Sequence, residues 1–188
     1  MKIVLASASP RRREILSMVC PSFDIRISNA DESYDGEMDI HAWIQAVAAK
    51  KALGVPMNED EVIIGCDTIV TRRGKIFGKP KTRDEAIEML RTLSGKHHTV
   101  VSAICIRTKD RITTEYESTI VRMRDITDEE IEKYIDTCEP YDKAGAYGIQ
   151  EMAGAFVQRI NGDYYNIVGL PLSRLCTMFK RVTGESLI

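Results

Sequence analysis

Strand-like and helix-like segments alternate along this chain of 188 residues, and that alternation favours an α/β fold. The strongest strand pattern covers residues 61–71, a run rich in valine and isoleucine. The strand patterns at about 98–108 and 112–124 are joined by a tight turn, so they should pair in antiparallel fashion and make the sheet a mixed one. Further strands are predicted at residues 3–6, 23–27, 75–77 and 155–160.

Helix-start signals separate these strands. Ser9 offers an N-cap directly before Pro10, and a proline is well suited to the first position of a helix. Thr82 and Thr127 each stand three residues before a glutamate, which is the spacing of a capping box. Pro171 is predicted to start the last helix. A helix is also predicted at about 38–53, and a glycine-containing loop at 139–150.

Composition narrows the functional classes. Lysine and arginine number 26 and aspartate and glutamate 28, so the net charge of −2 argues against a nucleic-acid partner. Arg11-Arg12-Arg13 and Arg72-Arg73 keep nucleic-acid binding as a weaker alternative. The five cysteines are scattered without a C-x-x-C pair, which predicts free thiols and a cytoplasmic protein. No apolar run approaches a membrane span of roughly 20 residues, and no linker or repeat divides residues 1–188, so we expect one domain and no membrane partner.

Asp67 stands where a strand pattern alone would not place a carboxylate. It lies in the apolar run 61–71, and by alternation it shares a face with Ile63, Gly65 and Ile69. A lone carboxylate there is costly unless it is paired, bound to a metal or exposed in a cleft. Two interpretations stay open: the solvent face of an edge strand, or a general base or metal ligand.

Two further segments carry charges that their local structure does not explain. Lys51 shares a helical face with Ile40, Ile44 and Val47, so it either extends to solvent at the helix end or is held for an anion. Residues 7–13 lead from a strand into a helix start that carries three arginines, although the helix dipole disfavours cations there. A bound phosphate would suit these groups, and a solvated basic patch is the alternative.

Three further sequence signals are weaker than those at Asp67, Lys51 and residues 7–13. Asp31-Glu32 is a carboxylate pair that could hold Mg²⁺. Lys79 is presented by a rigid Gly-Lys-Pro turn, and the amide of Gln150 could contact a base edge. The histidine pair at 97–98 does not have metal-ligand spacing and is expected to be structural. Carboxylates, a metal-compatible cluster and several cations together suit metal-assisted hydrolysis of a polyphosphate.

An ordered set of short segments extends over essentially the whole chain and resembles the Maf family of nucleotide pyrophosphatases. Each segment alone is weak, but their order is specific. The segments are Leu5–Arg12, Asp31-Glu32, Ala48–Ala52, Gly65–Thr68, Gly78–Pro80, Leu93–Gly95 with His98, Ala144–Gln150 and Val168–Leu172.

This resemblance implies an ITPase-like fold of the Maf/Ham1 type, a mixed and strongly twisted sheet flanked by helices, with two lobes and a central cleft. It implies hydrolysis of a nucleoside triphosphate to the monophosphate and pyrophosphate with a divalent metal cation, Mg²⁺ or Mn²⁺, by a homodimer. Asp67 would act as the general base on a water molecule, and Glu32 with Asp67 would hold the metal. The phosphate-binding residues would be Ser7, Arg12, Lys51 and Lys79.

The resemblance also implies a substrate. Arg11, Thr68 and Gln150 match the branch that acts on dTTP and UTP, with CTP and modified pyrimidine nucleotides as further candidates. The alternatives are a 7-methyl-GTP pyrophosphatase, or a nucleotide-binding regulator of cell division without turnover. Glu151 departs from the family pattern, in which a glycine follows the glutamine, and places a side chain near the expected base pocket.

Overall fold

Strands of both orientations form the sheet of this protein. A computed structural model describes residues 1–34, 36–138 and 140–188, so residue 139 of the predicted loop lies outside the described residues. Within those ranges the strands are β1 (Lys2–Ala6), β2 (Asp24–Ile25), β3 (Glu61–Arg72), β4 (Lys75–Phe77), β5 (His97–Arg107), β6 (Ile112–Met123) and β7 (Val157–Asn161). These seven strands form one sheet in the order β2-β1-β3-β5-β6-β7, with β4 paired to β3.

The pairing of β1 and β3 places β3 inside the sheet. Strand β1 runs parallel to both β2 and β3, with Leu5 opposite Ile64 in the second pair. The pairs β3–β4 and β6–β7 are antiparallel. Because parallel strands are covered on both faces, β3 is buried without interruption from Glu61 to Asp67. The predicted class, a mixed α/β sheet with helices, is confirmed.

Helices alternate with these strands. The first begins as predicted, with the Ser9 side chain accepting from the Arg12 amide and Pro10 at the first helical position. The capping box at Thr127 is complete. The helices are α1 (Pro10–Ser17), α2 (Ile40–Leu53), α3 (Arg83–Leu93), α4 (Asp128–Thr137), α5 (Tyr164–Val168) and α6 (Leu172–Thr183), with 3₁₀ turns at Pro140–Asp142, Ala144–Ala146 and Met152–Phe156.

Some local predictions were wrong. At Thr82 only half of the capping box forms, because the Glu85 carboxylate accepts from the Lys81 amide at 2.6 Å instead. Pro171 does start the last helix, as the N-cap of α6. The strand predicted at 23–27 shrinks to two residues, and the one at 155–160 begins two residues later.

Residue contacts divide the chain into two compact units, and each has its own buried residues. Unit 1 comprises Met1–Thr68, Ser102–Glu117 and Gly169–Ile188, and unit 2 comprises Ile69–Val101 and Ser118–Val168. The core of unit 2 is one apolar cluster that includes Leu90 of α3, Ile131 of α4 and Phe156. The prediction of a single domain over residues 1–188 stays a prediction.

In the ranges that the structure describes, no helix combines the length and the apolar character that crossing a membrane requires.

Candidate active site

Helix α2 lies directly on strand β3 because of Gly65. A Cβ at that position would overlap the carbonyl oxygen of Ala48 and the amide nitrogen of Ala52, both in α2. Only glycine lets the two backbones approach this closely. The approach places Lys51, on the same stretch of α2, beside Asp67, which follows Gly65 by two residues on the same face of β3.

Lys51 joins two carboxylates. Its Nζ lies 2.6 Å from Oδ1 of Asp67 and 2.7 Å from Oε1 of Glu32. Lys51 and Asp67 are 8% and 6% exposed, whereas Glu32 is exposed. Asp67 therefore does not lie on the solvent face of an edge strand, and Lys51 does not extend into solvent at the helix end. The two charges that the sequence marks separately form one buried pair.

The Arg12 guanidinium holds the backbone around Asp67. Its Nη1 donates to the Cys66 carbonyl at 2.7 Å, and its Nη2 donates to Thr68 Oγ1 at 3.0 Å. Its Nε donates to the Gly169 carbonyl at 2.9 Å. One planar fork thus binds the residues before and after Asp67, and Nη2 also lies 4.0 Å from Asp67 Oδ1.

Ser7 links this fork to the start of α1. Its hydroxyl oxygen accepts from Nη1 of Arg12 at 3.2 Å and from the amide of Ser9 at 3.3 Å. Ser7 and Arg12 are both buried, at 7% and 8% exposure, so the basic segment 7–13 is not wholly a solvated patch. Arg11 lies half-buried in the first turn of the same helix.

Ser102 belongs to the same network, although no sequence pattern led us to predict it. Its hydroxyl lies 2.8 Å from Thr68 Oγ1, and Thr68 donates to the Gly169 carbonyl at 3.3 Å. Ser102 is fully buried in the apolar run Val100–Ile106 of β5. A hydroxyl inside such a run is the signal that could have identified it, because buried polar groups are normally hydrogen-bonded.

Cys66 packs against the same carbonyl. Its Sγ donates to the Gly169 oxygen at 3.2 Å, and its side chain is completely buried. Burial raises the pKa of the Cys66 thiol, and the nearby Arg12 guanidinium only partly opposes that effect.

The other two predicted site residues belong to unit 2. Lys79 is exposed directly after β4, and the preceding Gly78 carbonyl accepts from the Gly145 amide at 3.0 Å. Gln150 is exposed at the end of the loop that begins near residue 140. Gly145 and Ala146 of this loop both have left-handed backbone angles, with φ of 71° and 62°.

Two contacts hold the Gln150 loop in unit 2. Tyr147 Oη lies 2.7 Å from Nε2 of His98, and both side chains are buried. Lys143 Nζ lies 2.7 Å from Asp142 and 3.3 Å from Glu151. The unusual Glu151 therefore forms an ion pair with a buried lysine of its own loop, and His98 is structural as predicted.

The metal prediction rests on two carboxylates. In the described ranges no group of three or more His, Cys, Asp or Glu side chains is arranged to hold an ion. Glu32 and Asp67, however, direct one oxygen each at the same cation, the Lys51 ammonium. Mg²⁺ is commonly bound through one or two carboxylates together with substrate phosphates, so this donor set fits such an ion.

This chain is similar in sequence to several known proteins. A dTTP/UTP pyrophosphatase of Clostridium novyi is 47% identical over 184 residues, 95% of this chain and 96% of that protein. The dTTP/UTP pyrophosphatase of Bacillus cereus is 45% identical over 96% of this chain and 95% of its own length. A solved structure of the Staphylococcus aureus Ham1 protein is 15% identical, with a TM-score of 0.44 over 66% of this chain and 73% of that chain. The Maf-like protein family model matches residues 2–182, and the chain therefore belongs to the Maf-like family.

Proposed function

We propose that this protein is a nucleoside triphosphate pyrophosphatase that hydrolyses dTTP and UTP to the monophosphate and pyrophosphate. The observation that carries the proposal is the buried Lys51–Asp67 pair with Glu32 at the same ammonium, 2.6 and 2.7 Å away. The relatives named dTTP/UTP pyrophosphatase, at 45–47% identity over nearly their whole length, support the substrate.

Asp67 is the proposed general base. It takes a proton from a water molecule, whose oxygen forms a bond to the α-phosphorus while the bond from that phosphorus to the β-bridging oxygen breaks. Its carboxylate is fixed by Lys51, and its neighbours Cys66 and Thr68 are held by Arg12, so it has little freedom to move away. General base catalysis of this kind contributes about 10²- to 10⁴-fold to a rate.

Cationic and hydroxyl groups bind the phosphates in this proposal. Lys51, Lys79 and Ser7 contribute charge or a hydroxyl donor as negative charge moves onto pyrophosphate. Arg12 offers fewer N–H donors to the phosphates than an arginine without other hydrogen-bond partners would. In the described part of the chain, Gly169, Cys66, Ser7 and Thr68 use four of its five N–H groups. It keeps its charge and one N–H for the substrate.

Glu32 and Asp67 are the proposed holders of a divalent cation, Mg²⁺ or Mn²⁺. When bound, such an ion supplies positive charge that offsets the charge of the phosphates and polarises them. In the described part of the chain, no third acidic or histidine side chain joins these two carboxylates in a metal-binding group. The substrate phosphates would therefore have to supply further ligands.

Arg11, Thr68 and Gln150 are the residues proposed to determine substrate specificity. An amide such as that of Gln150 carries both a donor and an acceptor, which suits the adjacent carbonyl and N–H of uracil or thymine. A carboxylate there would instead suit a cationic methylated guanine. The proposal also includes a homodimer.

The test is pyrophosphate release across dTTP, UTP, CTP, 7-methyl-GTP, dATP, GTP and ITP, with Mg²⁺ or Mn²⁺. We expect fast turnover of dTTP and UTP, and a loss of at least about 100-fold in kcat for Asp67→Asn. Asp60→Asn is the matched control, because Asp60 is exposed just before β3 and should keep full activity.

Three outcomes would contradict parts of the proposal. Full activity of Asp67→Asn would remove the base assignment. A preference for 7-methyl-GTP would overturn the roles of Arg11, Thr68 and Gln150 but keep the reaction class. A folded protein that binds nucleotides without releasing pyrophosphate would leave a binding regulator in place of an enzyme.

A further inference from the structure

The hydroxyl of Thr68 has no proton to give to a substrate. A threonine hydroxyl carries one donor and two acceptor positions. Thr68 Oγ1 accepts from Nη2 of Arg12 at 3.0 Å and lies 2.8 Å from Ser102 Oγ and 3.3 Å from the Gly169 carbonyl. Its proton goes either to Gly169 or to Ser102, and in both arrangements it stays within unit 1.

The contacts of the Thr68 hydroxyl therefore hold this part of strand β3 in place. In β3 its side chain lies on the face opposite Asp67, together with that of Cys66, and both contact the Gly169 carbonyl. The Arg12 fork binds Thr68 on one side of Asp67 and the Cys66 carbonyl on the other. The position of the Asp67 carboxylate thus depends on how firmly Thr68 is held.

Ser102 supplies the contact to Thr68 from the neighbouring strand β5. It is 0% exposed, and the adjacent Val101 and Ala103 are equally buried, so its hydroxyl cannot be satisfied by bulk water. Breaking a hydrogen bond between two buried hydroxyls is costly, so this contact restrains Ser102 and Thr68 to one arrangement.

We propose that Ser102 is a positioning residue of this enzyme, which acts through the Thr68 hydroxyl to fix Asp67 for the attack on the α-phosphorus. The inference rests on the proposed function and deepens it. In this proposal Thr68 affects the reaction through the position of strand β3, and not by donating a hydrogen bond to the nucleotide base.

The test is a double-mutant cycle with Ser102→Ala and Thr68→Val, in which kcat and KM for dTTP are measured with the melting temperature of each variant. Ser102→Ala should lower kcat by about three- to tenfold, the effect of one neutral hydrogen bond, and leave KM within about twofold. Thr68→Val should lower kcat at least as much, because it also removes the acceptor of Arg12 Nη2. The double variant should lose no more than the worse single one, because both changes break the same contact. Thr68→Ser, which keeps the hydroxyl, should lose less than Thr68→Val.

Cys105→Ala is the matched control, since Cys105 is fully buried in the same strand and forms none of these contacts. It should leave kcat for dTTP unchanged. Multiplicative losses in the double variant, or an unchanged kcat in Ser102→Ala, would overturn the role of Ser102 while an active wild type still supports the pyrophosphatase. A wild type inactive on every nucleotide would instead overturn the proposed function on which the inference rests.

Discussion

Lys51 occupies a position at which the stripe of α2 otherwise carries apolar side chains. The helix residues that share its face, Ile44 and Val47, are buried, and Lys51 is buried with them. Its ammonium is stabilised there by the Asp67 carboxylate at 2.6 Å. Removing one partner of a buried ion pair leaves the other charge buried without compensation. The cost of that buried charge exceeds the stability that the intact pair contributes.

Lys51→Met should therefore lower the free energy of unfolding by about 3 kcal/mol, because Asp67 would stay buried without its short ion pair. The measurement is urea denaturation at neutral pH. Lys50→Met is the control, since Lys50 is exposed on the same turn and should change stability little.

A second substitution, at Asp67, distinguishes the loss of charge compensation from the loss of packing. Adding Asp67→Asn to Lys51→Met removes the uncompensated carboxylate, so the double variant should recover part of the lost stability. Equal destabilisation by Lys50→Met and Lys51→Met would show that the buried pair contributes nothing specific.

At the scale of elements, the site depends on how closely α2 and β3 approach. Ala48 and Ala52 present their backbone to Gly65, and each lies within four residues of Lys51 on α2. The same contact that packs the helix on the sheet therefore also sets the distance from the lysine to Asp67. Packing and the geometry of the charged pair cannot be changed independently here.

Gly65→Ala should lower the free energy of unfolding by about 1–3 kcal/mol, because the added methyl group overlaps helix backbone that cannot rotate away. It should also lower kcat, since α2 must move and carry Lys51 away from Asp67. Unfolding in urea and dTTP turnover are the measurements.

Gly78→Ala is the stability control for this change. Gly78 has no positive φ, and a Cβ there would meet nothing within 4 Å. A Gly65→Ala protein as stable and as active as the wild type would show that the contact between α2 and β3 has room for a side chain.

Local signals predicted the elements well and the network of contacts less well. The caps at Ser9 and Thr127 act within one helix turn, so sequence alone identifies them. At Thr82, by contrast, Glu85 has two amides within reach and uses that of Lys81, which spacing does not distinguish. Helix α5 has only five residues, too few for a periodic pattern.

The candidate site likewise combines residues that local sequence signals identify with contacts that those signals do not predict. Asp67 and Lys51 each stand out as a charge in an apolar pattern, but their pairing depends on contacts between residues 16 apart. Ser102 carries no charge and lies 34 residues from Thr68, so its place in an apolar run could suggest a buried hydroxyl but not the partner of that hydroxyl. The roles of Lys79 and Gln150 stay predictions.

At the scale of the whole molecule, His98 couples stability to pH. Burial lowers the pKa of His98 to about 4, with smaller contributions from Arg72 and His97, so it is neutral when it contacts Tyr147. In the unfolded chain the ordinary value of 6.5 returns. Between pH 6.5 and 4 the unfolded state binds the extra proton, and acid therefore favours unfolding.

The free energy of unfolding should fall by up to about 3 kcal/mol from this group as the pH drops from 6.5 to 4. His98→Gln should flatten the pH dependence in that interval. His97→Gln, at the exposed neighbour, should change it only slightly, because His97 contributes less than burial to the lowered pKa of His98. Urea denaturation at several pH values measures this. An identical slope in the wild type and in His98→Gln would assign the acid sensitivity to other groups.

The contact between Cys66 and Gly169 has a consequence for redox chemistry. Oxidants and alkylating reagents attack thiolates that solvent can reach, and Cys66 meets neither condition, because it is 0% exposed and burial raises the pKa of its thiol. Burial raises the pKa of Cys105 to about 12. Peroxide that damages enzymes with reactive cysteines should therefore leave Cys66 reduced, even though it is the residue next to Asp67 in the chain.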